Sequence, residues 1–530
     1  MNDFFGSVFT QGSSIEPDIG DPVHNSHMPE IEFDVDTIER KLNSLDVNKS
    51  KGPDEIPSLI LKKFSNLFAK ILTLIYTKSY KEGKVPIQMK QANVIPLYKS
   101  GDRNLPNNFR PVSLTPIIAK TFESCIYDHL SEYINKNNII TDLQHGFRKN
   151  HSTNSNLLMF WDDISALANK GNEISMIYTD LRKAFDSVPH DLLLLKLRKY
   201  GVSGLNLSWI KSFLTNRQQT VVINGHKSHA IHVESGVPQG GVLSGLLFNI
   251  YINDMPQIFE YVNTSLYADD AKLYASANST EDIVKIQKDL DKLASWCEEW
   301  RLRLNVQKCF FLHYVPQKKT SCYPDYNING IELQRKQETS DLGIMVSDNL
   351  KFHSQVSQAC KKATREINRI RRTFISLSPD FLSNMFEVFV RPHLEYCVQV
   401  WNPVYVGDIE MMEKVQNRYT RLLRHGNILT HEQRNKLLNI TSHQTRRLRG
   451  DLIYTYKLLN STLFTPSYET RTRGHTKKIS VELSRNNIRM HSFAVRSVAA
   501  WNSLPEHIVS AETLECFKAR LDEHMTNIYT

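Results

Sequence analysis

Ser265-Leu-Tyr-Ala-Asp-Asp-Ala-Lys-Leu-Tyr274 places two adjacent carboxylates, Asp269 and Asp270, between two short runs suited to a sheet. The pattern predicts two strands joined by a tight turn, with the acids at the bend. A sheet core gives carboxylates nothing to pair with, and two side by side repel each other. Standing alone, such a pair reads as a solvated turn. With a third carboxylate and phosphate-handling groups elsewhere, it reads as a site for a hard divalent cation, held by one or two carboxylates together with substrate phosphates.

Working outward, Ile174–Tyr178 reads as a strand that ends in Thr179-Asp-Leu-Arg-Lys-Ala-Phe-Asp186. Asp180 then lies where a strand meets a loop, a favoured place for a ligand residue. Phe185, five positions on, is close enough to pack beside a bound sugar. Asp186 is either a second ligand or the cap of a helix over Val188–Tyr200, and the cap is the preferred reading. Gln218–Ile223, Asn224-Gly225 and the alternating run to Glu234 form a hairpin with a strong turn signal. Ser235-Gly-Val-Pro-Gln-Gly-Gly241 follows and leads into the apolar helix Leu243–Tyr251. Its glycines let backbone approach a flat base or a template strand, although a flexible loop has the same composition.

Before this region, helices are predicted over Asp36–Leu45, Ser58–Lys81, Thr115–Asn137 and Asn156–Asn169. Between the second and third, Asn93–Tyr98 and Phe109–Leu114 read as strands around the turn Lys99-Ser-Gly-Asp-Arg103. Lys99, Arg103 and Arg110 near the tip of this hairpin suit a triphosphate, arginine as a bidentate fork and lysine as a point charge. A solvated basic hairpin fits them equally. In Gln144-His-Gly-Phe-Arg148, Gly146 could admit a nucleic-acid backbone, with Arg148 on a phosphate.

The chain has 530 residues, enough for two to four domains, and a net charge of +9 that favours a polyanionic partner without proving one. Seven scattered cysteines, with no CxxC and no Cys/His cluster, argue against a disulfide framework or a structural zinc and fit a reducing compartment. No apolar run approaches the ~18 residues of a membrane span. Met1–Pro29 lacks a basic-then-apolar leader, so it reads as a linker or as the start of a fragment, and the chain as intracellular and non-secreted.

Taken in order, Thr179–Asp186, Gly236-Val-Pro-Gln-Gly240 and Tyr267-Ala-Asp-Asp270 resemble the polymerase motifs of reverse transcriptases, specifically those of jockey-like non-LTR retrotransposons. Leu97–Asp102, Phe109–Leu114 and Gln144–Arg148 fit the same family, and the match runs from about Lys49 to Val346. The resemblance implies an α+β right-hand polymerase of fingers, palm and thumb, with an antiparallel palm sheet and a helical C-terminal region. It implies a linker-like extension over 1–37, fingers and palm over 38–346 with core motifs from about 78, and a thumb and C-terminal region over 347–530. Asp180, Asp269 and Asp270 would hold two Mg²⁺ ions, with Mn²⁺ as the alternative metal. Phe185 would be the steric gate against a ribose 2′-hydroxyl. Gln239 and Gly240 would line the nucleotide pocket, and Lys99 and Arg110 would hold the nucleotide's phosphates. Lys308, in Leu304-Asn-Val-Gln-Lys308, would protonate the pyrophosphate or is a plain surface lysine. Gln144, Gly146, Phe147 and Arg148 would meet template or primer, and Leu342 and Gly343, in Asp341–Ile344, would grip the primer end.

The implied partners are template RNA, primer or target DNA and deoxynucleoside triphosphates, with no membrane, and the family's life cycle implies the nucleus. An endonuclease domain often lies upstream in the family, and this chain is expected to begin after where it would end. Two departures stand out: Gly241-Val-Leu-Ser-Gly245 lacks the family's proline at Gly245, which would loosen the helix behind the pocket, and His145 replaces a more common apolar residue. Lys361, Lys362, Arg365, Arg369, Arg371 and Arg372 predict a basic amphipathic helix suited to a duplex backbone. Lys414, Arg418, Arg421, Arg424, Arg446, Arg447 and Arg449 extend this basic character, and Arg471–Lys478 reads as a basic break. Two alternatives stay open: an RNA-dependent RNA polymerase, and a decayed or co-opted copy that binds RNA without polymerising.

Overall fold

The computed structural model describes residues 1–10, 17, 26–317, 324–375, 377–424, 426–467 and 474–529. Residues 11–16 and 18–25 of the N-terminal stretch, and Arg471–Arg473 of the basic break, lie outside the described residues.

Fourteen strands are described. They are β1 (Gln91–Tyr98), β2 (Phe109–Leu114), β3 (Ile174–Thr179), β4 (Arg217–Ile223), β5 (His226–Lys227), β6 (Ile231–Val233), β7 (Asn263–Tyr267), β8 (Asp270–Ser276), β9 (Phe310–Tyr314), β10 (Asn327–Ile328), β11 (Ile331–Glu332), β12 (Gln334–Arg335), β13 (Glu338–Asp341) and β14 (Ile344–Ser347). The central sheet runs β12-β9-β3-β8-β7 and is antiparallel except for the edge pair β12–β9. A second sheet, β2-β1-β4-β5 with β6 also on β4, carries the basic hairpin. The α+β expectation, with an antiparallel central sheet and a helical C-terminal region, holds.

Successive residues of a strand point to opposite faces, and the central sheet uses both. Ile177, Ala271, Leu273 and Phe311 face a core shared with the helices Ile117–Lys136, His190–Lys199 and Ser244–Ile252. Ile174, Met176, Tyr178, Tyr274 and Leu312 face a second core built with the helix Thr153–Asn169 and with C-terminal residues as far as Met525. The helix Thr153–Asn169 covers this face of the central sheet, and C-terminal helices pack on that helix and extend the same core.

Most expected elements appear within a few residues, with three corrections. The helix expected over Ser58–Lys81 is two, Ser58–Lys63 and Ser65–Lys81, broken at Phe64 where the backbone leaves helical geometry (φ −113°, ψ 32°). The N-terminal stretch is no free linker where it is described: Phe5 is 2% exposed, Asn2 bonds Ser228 and the His229 carbonyl, and the Thr10 N–H donates to Ser235 Oγ. Arg446 and Arg447 are buried, so they add nothing to a basic surface. Arg446 instead pairs with Glu395 and donates to Gln416 Oε1 at 2.8 Å. Arg449 pairs with Asp522. Lys361, Lys362, Arg365, Arg369, Arg371 and Arg372 do lie exposed on the helix His353–Thr373. Among the described residues no helix is long and apolar enough to cross a membrane.

Candidate active site

The register of the central sheet brings the acids together. β3 and β8 pair as far as Thr179↔Ala271, so Asp180 and Asp270, one step on, stand at the same end of neighbouring strands. By strand alternation they share the face of Tyr178 and Lys272. β7 and β8 are joined by the two-residue turn Ala268-Asp269, with Tyr267 opposite Asp270. Ala268 is left-handed at φ +54°, a conformation that costs an ordinary residue about 1–2 kcal/mol.

The electrostatics report the crowding. Burial raises the Asp269 carboxyl above the usual range, and the charge of Asp180 adds to this, while Arg110 and Lys99 oppose it. Burial, followed by the charges of Asp269 and Asp341, pushes Asp270 up to about 6, against Lys272. Asp180 is placed by the segment after it in the sheet: its carboxylate accepts from Asn305 Nδ2 at 3.0 Å and lies 3.6 Å from Lys308 Nζ, and its carbonyl accepts from the Asn305 N–H at 2.8 Å. Asn305 was not foreseen as a site residue, although Leu304–Lys308 was marked as a stretch.

Lys99 follows β1, and its N–H donates to the carbonyl of Asn108, the residue before β2, at 2.8 Å. Lys99 and Lys308 also act on Lys183, whose pKa falls mainly through burial and partly through these neighbours. Lys99, Arg110 and Lys308 thus gather around the acids.

The glycine-rich loop joins the two sheets. The Ser113 N–H of β2 donates to the Gln239 carbonyl at 2.8 Å, and the Val237 N–H donates to the Phe185 carbonyl at 2.8 Å. A Cβ on Gly236 would come 2.7 Å from the carbonyl oxygens of Phe185 and Asp186. Gly240 has φ +102°, and its Cβ would lie 3.1 Å from the Ser113 oxygen. Phe185 stacks on Phe248 at 4.5 Å between ring centroids and meets Phe147 edge-on at 5.8 Å.

Several assignments need correction. Asp186 caps no helix: it lies in the turn Ala184–Ser187, its Oδ1 accepts from Gln239 Nε2 at 2.9 Å, and burial pushes its carboxyl up to about 6. The helix that follows, His190–Lys199, has no side-chain cap. Gln144 is 1% exposed and presents no side chain to a template. Its Oε1 accepts from the N–H groups of Gly146 and Ala268, and its Nε2 donates to the Ala268 carbonyl. Gly146 is required by the same approach, since a Cβ there would overlap the Ala268 nitrogen. Arg148 turns back on its own loop, donating to the carbonyls of Thr141 (2.7 Å) and Gln144 (3.2 Å), and is no phosphate ligand in this geometry. Phe147 alone of this group stays well exposed, at 55%. Leu342 and Gly343 form the turn between β13 and β14, with φ +44° and +90°.

The two departures from the family pattern also find their places. A Cβ on Gly245 would overlap the ring carbons of Phe147, so the glycine makes room for that ring. His145 is buried with Nδ1 2.9 Å from Ser155 Oγ, and burial, then His151, pushes its pKa down to about 3, which keeps it neutral.

Among the described residues, no three His, Cys, Asp or Glu side chains close into a metal cage. A hard divalent cation needs no such cage, because it takes several oxygen ligands from waters and substrate phosphates. The donor set fits too: Asp180, Asp269 and Asp270 supply only hard oxygens, and the mutual repulsion of Asp269 and Asp270 is what a cation would relieve.

Residues 97–353 match the family "Reverse transcriptase (RNA-dependent DNA polymerase)". The chain is 26% identical over 444 residues to "Probable RNA-directed DNA polymerase from transposon BS" of Drosophila melanogaster, covering 78% of this chain and 48% of that protein. It is 27% identical over 380 residues to "RNA-directed DNA polymerase from mobile element jockey" of the same species, covering 69% and 41%. The chain thus spans about half the length of the curated relatives it matches. A solved telomerase from Candida tropicalis, in complex with the TWJ fragment of telomeric RNA, aligns with 74% of this chain and 62% of that one at 12% identity and a TM-score of 0.40. Residues 97–353 thus match a reverse transcriptase domain, and the chain is similar to the polymerases of jockey-type non-LTR retrotransposons.

Proposed function

We propose that this chain is an RNA-directed DNA polymerase that adds deoxynucleotides to a primer 3′-hydroxyl on an RNA template. The observation that carries the reading is the gathering of Asp180, Asp269 and Asp270 at one sheet end, within electrostatic reach of Lys99, Arg110 and Lys308. Asp180, Asp269 and Asp270 would hold two Mg²⁺ ions, or Mn²⁺, which would supply neutralisation of phosphate charge and acidification of the primer hydroxyl.

The chain's own residues do the rest. Lys99 and Arg110, both within electrostatic reach of Asp269, hold the triphosphate, where charge that develops on the phosphates is met by fixed cations. Gln239, held by Asp186, and Gly240 line the nucleotide pocket. Phe185, backed by Phe248, occupies the space of a ribose 2′-hydroxyl. Lys308 delivers a proton to the departing pyrophosphate, Phe147 meets the template, and Leu342-Gly343 bounds the primer end. Residues 38–346 carry this chemistry, and the exposed basic face of His353–Thr373 in the region 347–530 lies along the duplex. By family resemblance alone, the activity would lie in the nucleus.

The test is primer extension on an RNA template with Mg²⁺. Asp180→Ala and Asp269→Ala each abolish extension and leave RNA binding largely intact; undiminished extension sinks the assignment. The bulk of Phe185 favours deoxynucleotides over an RNA-polymerising alternative, which a ribonucleotide incorporation assay decides.

A further inference from the structure

We infer that Lys272 and Asp341 are positioning residues, a buried ion pair that fixes where the primer terminus stands relative to the metal-binding carboxylates. The inference deepens the polymerase reading and rests on it.

Lys272 lies on β8 two residues beyond Asp270, and its side chain is 3% exposed; that of Asp341, the last residue of β13, is 4% exposed. The ammonium donates to both carboxylate oxygens of Asp341, at 3.2 and 3.1 Å, and to Asn156 Oδ1 at 2.9 Å. It sits 4.6 Å from the centre of the Phe160 ring. All three ammonium protons therefore have acceptors. Asn156 is fully buried and passes the restraint on: its Nδ2 donates to Ser265 Oγ and to the Leu266 carbonyl, both at 2.9 Å and both on β7. One network thus runs from β7 through Asn156 and Lys272 to Asp341.

What it fixes is a hairpin outside the catalytic sheet. β13 and β14 form their own two-stranded ladder. Asp341 opens the Leu342-Gly343 turn, whose far side is held by Tyr396: its hydroxyl donates to the Leu342 carbonyl at 2.8 Å, and a Cβ on Gly343 would lie 3.2 Å from its ring. Lys272 leaves β8 on the face of Asp270, and Asp341 at the foot of the turn is within electrostatic reach of that carboxylate. Lys99 and Arg110 act on Asp269, while Lys272 and Asp341 act on Asp270. The nucleotide's phosphates belong to the first side, which leaves the second for the primer terminus.

An apolar pair of equal volume would hold two elements together at no cost in desolvation, and buried ion pairs are often no more stabilising than such a pair. What directed charges add is a defined register.

The paired variant Lys272→Met/Asp341→Leu removes the charges without leaving either one buried alone. Steady-state extension by the full chain is measured with primer and then nucleotide varied, alongside thermal unfolding. The expected result is a primer KM raised about tenfold, with nucleotide KM and Mg²⁺ dependence near those of the parent chain and melting within a few degrees. Lys272→Gln/Asp341→Asn, which keeps a hydrogen bond across the gap, recovers most of the loss and carries the same test if the apolar pair fails to fold. An unchanged primer KM, equal losses in the primer and nucleotide constants, or unfolding of both variants overturns the inference. A parent chain that extends no primer overturns the polymerase reading itself, and the inference with it.

Discussion

Gln144 grips Ala268 at both ends of the residue: Oε1 accepts from its N–H at 2.8 Å, and Nε2 donates to its carbonyl at 3.2 Å. This buried amide holds the left-handed backbone on which Asp269 and Asp270 are carried. Gln144→Ala leaves the turn free to relax, so kcat falls about 10–100-fold, the loss expected when reacting groups shift by a fraction of an ångström to an ångström. RNA affinity changes little, and single-turnover extension with a filter-binding control checks both.

Gly245 and Phe147 form a second dependent pair. Gly245→Ala drives a Cβ into the ring and costs about 1–3 kcal/mol. Phe147→Ala opens the space and makes Gly245→Ala nearly neutral. A double-mutant cycle in thermal unfolding measures the coupling; additive effects contradict it.

Phe185→Ala removes the ring stacked on Phe248. Ribonucleotide discrimination drops about 10–100-fold in kcat/KM ratio, a change in pocket shape of a few kcal/mol. Competitive incorporation of matched ribo- and deoxynucleotides reads it.

The acids also make a pH signature. Asp270 is pushed up to about 6 and Asp269 is raised, whereas an unfolded Asp titrates near ~3.9. Between these values the folded chain keeps protons that the unfolded chain has released. The metal-free protein is therefore stabilised through these groups as pH falls from 7 towards 5, and the gain is lost as pH rises through 6. Mg²⁺ competes with the same protons, so the rise in melting temperature on adding MgCl₂ is larger at pH 7.5 than at pH 5.5. Asp270→Asn flattens both trends.

Much of this arrangement was legible in the chain. Acids at a strand end and at a hairpin bend, glycines before an apolar helix and cations on a hairpin are local signals, and each landed on the expected element. What was not legible is partnership. A glutamine beside a glycine reads as exposed until the strand that accepts it is known, and so Gln144 was set against the template. Asp186 sits where a cap belongs, but the helix starts at His190 and Gln239 takes its carboxylate. Arg446 and Arg447 carry no mark in sequence that they turn inward, because a long cationic side chain suits either side of a helix until its partner is in view. Lys272 and Asp341, 69 positions apart, became visible as a pair only when β8 and the β13–β14 hairpin were side by side.

The sheet that bears the acids has no wet side. Ile174, Met176, Tyr178, Tyr274 and Leu312 are covered in common with residues as distant as Leu521 and Met525. A gene cut short after residue 353 would encode every acid and every cation of the site, yet its product would bare the greasy outer side of the helix Thr153–Asn169 and clump before it met a nucleotide. Trimming such a protein to its chemistry is therefore self-defeating: the smallest piece worth making extends into the final helix, Leu514–Tyr529.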